Sequence, residues 1–433
     1  MASRLPFAYD GREVPPLPEG KKAVREDAPL KRPGSTIRNN VAYALLQAFY
    51  WCAYCAYFSY LVAYLLERGY SKPLIGLVLT MLSALSVAVP LVAGYLVDFA
   101  VPIRRFVAVA MGLAIPAAFL LRFSVASIPL SVLSIACLGI LERGQSSVLD
   151  SWAVKLRGQG VALHYGPTRA FASLAFAFTA LLLGGLFARV GLDKLFFVHA
   201  AFAAGCVVAA LFLDDVPVKG REHADHLPVR TALRLLAGNP RYRLLVVCIT
   251  LAGIASMTNV TFMPMMVDYL GGTSADLGAC LFVMAGSEMT VMLLYPRLAR
   301  RFAADRMLAV AMFFIVVRVT VIFFVPSIPW LIAAQAIQAL SFGLYLPSLL
   351  QYLGRIADAR MQATAVTFAV AAGEGVAGIV GNSTGSAVLA VLGMRPLYLV
   401  LGGVALVGLV TFVVGQASIA RKEAEPPPET AAA

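Results

Sequence analysis

Long apolar stretches separated by short charged ones dominate this chain. Residues 41–66, 73–97 and 244–267 contain no Asp, Glu, Lys or Arg. Each is longer than the ~18 apolar residues that cross a bilayer as a helix. None shows the alternation of apolar and polar positions over ~10 residues that marks a membrane β-strand. Charge punctuation predicts helices at about 40–66, 72–98, 105–122, 124–150, 166–188 and 194–213, then at about 242–267, 275–298, 306–325, 328–353, 361–391 and 395–417. The charge-free run 319–354 is too long for one crossing. Pro326-Ser327-Ile328-Pro329 divides it, since two prolines near one turn break a helix. The expected fold is all-α and polytopic, with twelve transmembrane helices.

Six spans precede the polar stretch 214–241 and six follow it. Arg104 and Arg105 after span 2 are echoed by Arg300 and Arg301 after span 8. This repetition predicts two six-helix bundles, 40–213 and 242–417. A cytoplasmic linker, 214–241, joins them, between a flexible basic tail, 1–39, and a C-terminal tail, 418–433. Two like halves suit a transporter with its site between the repeats.

Composition narrows the class further. Hydrophobic residues make up 60% of the 433 and charged residues 13%, about half the ~25% of a soluble domain. A water-soluble enzyme, a secreted domain and a disordered chain are excluded. The net charge of +12 concentrates in the first 39 residues and in the loops on their side. That is the positive-inside pattern. It places both termini in the cytoplasm and the protein in the cell membrane, with the lipid bilayer and no nucleic acid as its partner.

Charges inside the spans are costly, at ~2.5–3.5 kcal/mol each on insertion scales, and so mark cavities or pairs. Glu142, Ser146 and Asp150 recur every four residues, which predicts one polar stripe on span 4. Arg169 opens span 5 close enough in sequence to meet Asp150, whereas Arg143 reads as a side chain that snorkels to an interface. Glu288 in span 8, Arg318 in span 9 and Glu374 in span 11 lie deeper. A carboxylate in an apolar site is neutralised by desolvation and ionised by a nearby guanidinium, so Glu288, Arg318 and Glu374 are the proton-coupling candidates. The same pairs would also serve as staples between helices. Tyr54, Asn259, Gln335 and Gln338 add hydrogen-bonding side chains suited to a small solute, and equally to interhelical contacts.

No metal site is expected. Cys52 and Cys55 form a lone C-x-x-C, H-E-x-x-H is absent, and Asp214-Asp215 is an isolated doublet. The chain is not expected to be an enzyme and has no cofactor beyond an ion gradient. Protons are the expected coupling ion, with sodium left open.

The chain resembles the major facilitator superfamily, in particular the branch of lactose permease and the nucleoside–proton symporters, over about 40–416. Gly94-Tyr-Leu-Val-Asp98 followed by Arg104-Arg105 is similar to the superfamily's signature after span 2. The glycine before the basic pair is missing and the spacing is one residue longer. The resemblance implies gating roles for Gly94, Asp98, Arg104 and Arg105. Asp150 with Tyr165-Gly-Pro-Thr-Arg169 is similar to the acid and arginine that hold sugar hydroxyls in the permease. This makes Asp150 and Arg169 solute ligands, with Glu142 beside them. Phe176 stands where the permease stacks its sugar on tryptophan, which disfavours a galactoside. Gln338 and Ser341 replace the histidine and glutamate of span 10. Glu288, about one turn from the permease's acid, or Glu374 then carries the proton. The implied function is proton-coupled symport of a small polar solute such as a sugar or nucleoside, by alternating access, in a monomer. Efflux of amphiphilic compounds is the alternative, and a membrane enzyme or channel the reading from another class.

Overall fold

The computed structural model describes residues 33–216, 229–358 and 361–424. Twelve of its helices are long and apolar enough to cross a bilayer. In the first half they are span 1 (Ile37–Glu67), span 2 (Lys72–Phe99), span 3 (Ile103–Ser124), span 4 (Ile128–Gly158), span 5 (Phe171–Val190, within the helix Tyr165–Val190) and span 6 (Leu192–Phe212). In the second half they are span 7 (Pro240–Tyr269), span 8 (Ser274–Leu298), span 9 (Ala304–Phe324), span 10 (Ile328–Ile356), span 11 (Thr364–Leu392) and span 12 (Met394–Arg421). Large side chains such as Leu91, Phe123, Leu133, Val391 and Val414 are exposed. In water they would be a liability, but on a membrane helix they face lipid.

Each half repeats one packing scheme. Span 1 packs on span 6 and span 3 on span 6, as span 7 packs on span 12 and span 9 on span 12. The halves join by exchanged pairs, span 5 against span 8 and span 11 against span 2. Spans 5 and 11 end alike, at Gly191 and Gly393, whose φ of 85° and 89° suits glycine as a helix stop.

Four spans are interrupted at mid-depth. Span 1 has a π-helical turn at Cys55–Ser59, span 4 breaks between Glu142 and Gln145, span 10 tightens to a 3-10 turn at Gln335–Ala339, and span 11 has a π turn at Ala371–Val376. Such interruptions concentrate where a helix presents groups to a ligand or an ion.

The structure departs from the expected boundaries in four places. Helix begins at Pro33, inside the expected N-terminal tail, and the last helix runs Met394–Ala424, into the expected C-terminal one. The linker region holds the helix Val229–Gly238, with Leu236 buried. Span 4 continues to Gly158, so Asp150 lies in its body and not at its end. At the ends of spans 1, 4 and 12 charged residues extend a helix beyond the apolar stretch that marked it in sequence, whereas Val229–Gly238 is a separate short helix. The basic residues Arg4 to Arg32, and residues 217–228 and 425–433, fall outside the described residues.

Candidate functional site between the halves

The halves meet along a seam that runs inward from the end opposite the termini. A Cβ built on Gly278 would overlap the Ala180 carbonyl oxygen, and Ser274 Oγ donates to the Gly184 carbonyl oxygen at 3.3 Å. Lys72 pairs with Asp268 at 3.2 Å. On the other seam, Asn382 of span 11 donates to Ser83 Oγ of span 2 at 3.0 Å and accepts from Thr261 Oγ1 of span 7 at 2.6 Å. The seam reaches Val87 and Gly375, where a Cβ on the glycine would collide with the valine side chain. Farther toward the termini a Cβ on Gly94 would meet nothing within 4 Å. The halves are thus sealed at one end and parted at the other.

Where they part, the N-terminal half presents an aromatic wall carrying two guanidinium groups. Gln47, Trp51, Tyr54 and Phe58 follow at helical spacing on span 1. The Arg143 guanidinium lies 4.4 Å from the Phe58 ring centroid and donates to Tyr54 Oη at 2.9 Å. Arg169 sits 4.8 Å from the Trp51 centroid, and Phe176 meets Trp51 edge-on at 6.3 Å. Cation–π contacts of this kind hold a charge without a carboxylate partner. Arg143 therefore points into the protein and does not snorkel, because two aromatic faces offer it a site at mid-depth.

Asp150 and Arg169 do not form the direct pair that their spacing predicted. Asp150 Oδ1 accepts from Tyr165 Oη at 3.0 Å and from Gln47 Nε2 at 3.3 Å, while Arg169 donates to Ser173 Oγ at 3.1 Å. Burial, with Asp150 second, pushes the Tyr165 phenol up to about 12, so it remains a donor at neutral pH. Asn40 holds the preceding loop by accepting from His164 N and donating to the Ala162 carbonyl oxygen, each at 2.8 Å.

The C-terminal half supplies a relay. Arg318, 2% exposed, donates to Gln338 Oε1 and to Gln335 Oε1, the latter at 2.6 Å. Gln338 Nε2 then donates to Glu288 Oε2 at 3.1 Å. The expected Arg318–Glu288 contact is thus mediated by an amide, and Gln335 and Gln338 serve the arginine directly. Arg318 Nε and Ser341 Oγ are buried without partners among the described residues. Glu374 lies in the π turn of span 11 and makes no hydrogen bond among the described residues. Arg169 and Glu288 stand on the helices of spans 5 and 8, which pack against each other between the halves. Asn259 is buried with its Nδ2 unpartnered among the described residues.

Other expected site residues stand elsewhere. Glu142 is fully buried against His199 of span 6, because the break in span 4 interrupts the predicted stripe and turns Glu142 away from Asp150. Asp98 pairs with Lys155 at 2.8 Å, Arg104 donates to the Leu213 carbonyl oxygen at 2.5 Å, and Arg105 is exposed. These contacts lie within the N-terminal half, so in this conformation the gating candidates do not bridge the halves. Sequence reasoning misses Trp51, His199 and Asn382. Trp51 was detectable, lying four residues from Gln47 and three from Tyr54.

The sequence profile of the MFS_1 like family matches residues 41–400. The chain belongs to that family. Maltose permease from Geobacillus stearothermophilus is 30% identical over 213 residues, 49% of this chain and 53% of the permease, so the match spans about half of that relative. The uncharacterized transporter YwbF of Bacillus subtilis (strain 168) is 23% identical over 65% of this chain and 69% of its own. Among solved structures, the nucleoside transporter NupG superposes with a TM-score of 0.74 at 15% identity, over 87% of this chain and 98% of NupG. A bacterial homologue of the human lysosomal transporter Spinster, in an inward-facing and unoccupied conformation, superposes with a TM-score of 0.64 at 13% identity, over 92% and 100%. The fold is that of the major facilitator transporters, a multi-pass membrane architecture and not an enzyme family.

Proposed function

We propose that the protein is a proton-coupled symporter of a small polar solute, of the sugar or nucleoside class, in the cell membrane with both termini cytoplasmic. On this reading the open end faces the cytoplasm, and Gly184–Gly278 and Asn382–Ser83 seal the outer end. The observation that carries this reading is the Glu288–Gln338–Arg318 relay, which lies across the cleft from Arg169. An amide between acid and guanidinium is a contact that a solute hydroxyl can replace. Breaking it separates Glu288 from the positive charge that favours its ionised form, so solute arrival and proton capture become one event. Asp150, Arg169 and Tyr54 hold the polar edge of the solute, and Trp51 and Phe176 its apolar face. Glu374, on the facing π turn, is the second carboxyl able to carry the proton.

The test is the external pH of weakly buffered, energy-depleted cells on adding maltose, uridine or adenosine singly. Transient alkalinisation absent from vector-only cells supports the reading. Saturable solute entry without any pH change sinks proton coupling, and resistance of expressing cells to toxic amphiphiles would favour efflux.

A further inference from the structure

Glu142 and His199 meet inside the N-terminal half, away from the cleft. Both side chains are 0% exposed, with His199 Nε2 2.6 Å from Glu142 Oε1. Glu142 Oε2, His199 Nδ1 and the buried Tyr57 hydroxyl have no hydrogen-bond partner among the described residues. The Tyr57 ring stands edge-on to the imidazole at 5.6 Å. Tyr50 donates to the Glu142 carbonyl oxygen at 3.3 Å. Tyr50 and Tyr57 from span 1 and Cys206 from span 6 are the titratable groups that feel the carboxylate, with Cys52 behind Cys206. The charged neighbour is Arg143, whose guanidinium is turned the other way, onto Tyr54 and Phe58.

Charge accounting in this enclosure has two forms. A neutral imidazole beside an ionised carboxylate leaves one net negative charge, with no cation bonded to it among the described residues. The second form has one further proton and no net charge, either as an imidazolium–carboxylate pair that keeps the Nε2–H···Oε1 bond or as a neutral carboxyl donating to a neutral imidazole. Burial disfavours net charge far more than a hydrogen-bonded neutral pair. We propose that Glu142 and His199 form a second proton-binding site, which holds one proton in this conformation and whose discharge acts on Arg143.

Release of that proton leaves a buried anion one residue from Arg143. The anion then competes with Tyr54 and Phe58 for the guanidinium. Glu142 ends the first segment of span 4 and Arg143 stands in the break that follows it. Proton occupancy inside the bundle is thereby written onto the aromatic wall of the cleft. The proton site stands on its own geometry, whereas its effect on solute rests on the symport reading.

The experiment is nitrogen-15 NMR of histidine-labelled full-length protein in lipid nanodiscs without solute, with His199 assigned through His199→Gln. The pair is expected to hold one proton, read either as both ring nitrogens of His199 together at the imidazolium position or as a protonated Glu142 carboxyl in the carbon-13 spectrum of the same protein. In Glu142→Gln the ring nitrogens are expected at the separate positions of a neutral ring. Separate ring-nitrogen positions together with an ionised Glu142 carboxyl in the unmodified protein would overturn the proton site, as would an unchanged imidazolium in Glu142→Gln. A second arm compares affinity for whichever of maltose, uridine or adenosine gives alkalinisation, across the range where histidine titrates. The proposal expects His199→Gln to flatten that profile; a profile identical to that of the unmodified protein would overturn the link to Arg143. If none of the three probes alters external pH, the symport reading fails, and the NMR arm still decides the proton site by itself.

Discussion

Gly184 of span 5 lies so close to Gly278 of span 8 that a Cβ on the first would stand 2.9 Å from the α-carbon of the second. The same Cβ would stand 2.6 Å from the Ser274 carbonyl oxygen. Backbone lies on both sides, so no side chain can yield. This backbone-to-backbone crossing is part of the seal at the end opposite the termini, and Lys72–Asp268 sits at the same end.

Gly278→Leu should therefore prevent the seal from forming and hold the protein open at that end. A cysteine placed near Gly184 would become accessible to a membrane-impermeant thiol reagent, at least about tenfold faster than in the parent, the equivalent of ~1.4 kcal/mol in the opening equilibrium. Unchanged labelling would show that the seal tolerates the bulk and is not the limiting contact.

Gly94 supplies the complementary observation. Its surroundings are open here, and in the opposite conformation span 2 would have to approach span 11 at this depth. Gly94→Cys should react readily from the side of the termini and become protected in the Gly278→Leu background. Equal reactivity in both backgrounds would contradict a rocking exchange between the halves.

The aromatic wall makes a prediction about binding. Arg169→Ala removes a guanidinium stacked on Trp51 and should raise the half-saturating solute concentration about 10- to 100-fold, the range of one to two charge-assisted contacts. Asp150→Asn keeps the Tyr165 and Gln47 contacts in shape and should cost less, about threefold to tenfold. Unaltered affinity in both variants, measured by binding to purified protein, would return these residues to a purely structural role.

Much of the architecture was legible because lipid imposes a simple code. Charge-free runs gave twelve spans, and Pro326 with Pro329 divided spans 9 and 10 where helix stops at Phe324 and restarts at Ile328. The site was legible only in its residue types. Glu288, Arg318 and Gln338 stood out as polar groups at apolar depth, yet their order of contact depends on the 3-10 turn at Gln335–Ala339, which periodicity does not reveal. Glu142 and Asp150 shared a helical face on paper, and the two-residue interruption at Arg143 and Gly144 parted them. His199 is a single histidine in an apolar helix, and only tertiary packing brings it to Glu142. Asn382 was hidden among the glycines of span 11, whose close packing on Val87, Ser83 and Thr258 is otherwise as small residues require.

Gln338 offers a separate check on the relay. Gln338→Leu removes the amide that links Arg318 to Glu288 while keeping similar bulk. It should impair proton-driven accumulation severely and leave solute exchange between equal concentrations on the two sides largely intact, because exchange needs no net proton movement. Equal loss of both activities would assign Gln338 to solute binding alone.

The central claim, that Glu288 carries the coupled proton, is tested most directly by external pH recording in energy-depleted cells expressing either the unmodified protein or Glu288→Gln. On adding the solute that both proteins exchange, the account predicts transient alkalinisation with the unmodified protein and none with the variant. Alkalinisation of equal size in the variant would contradict the claim and move the proton to Glu374 or to the Glu142–His199 pair.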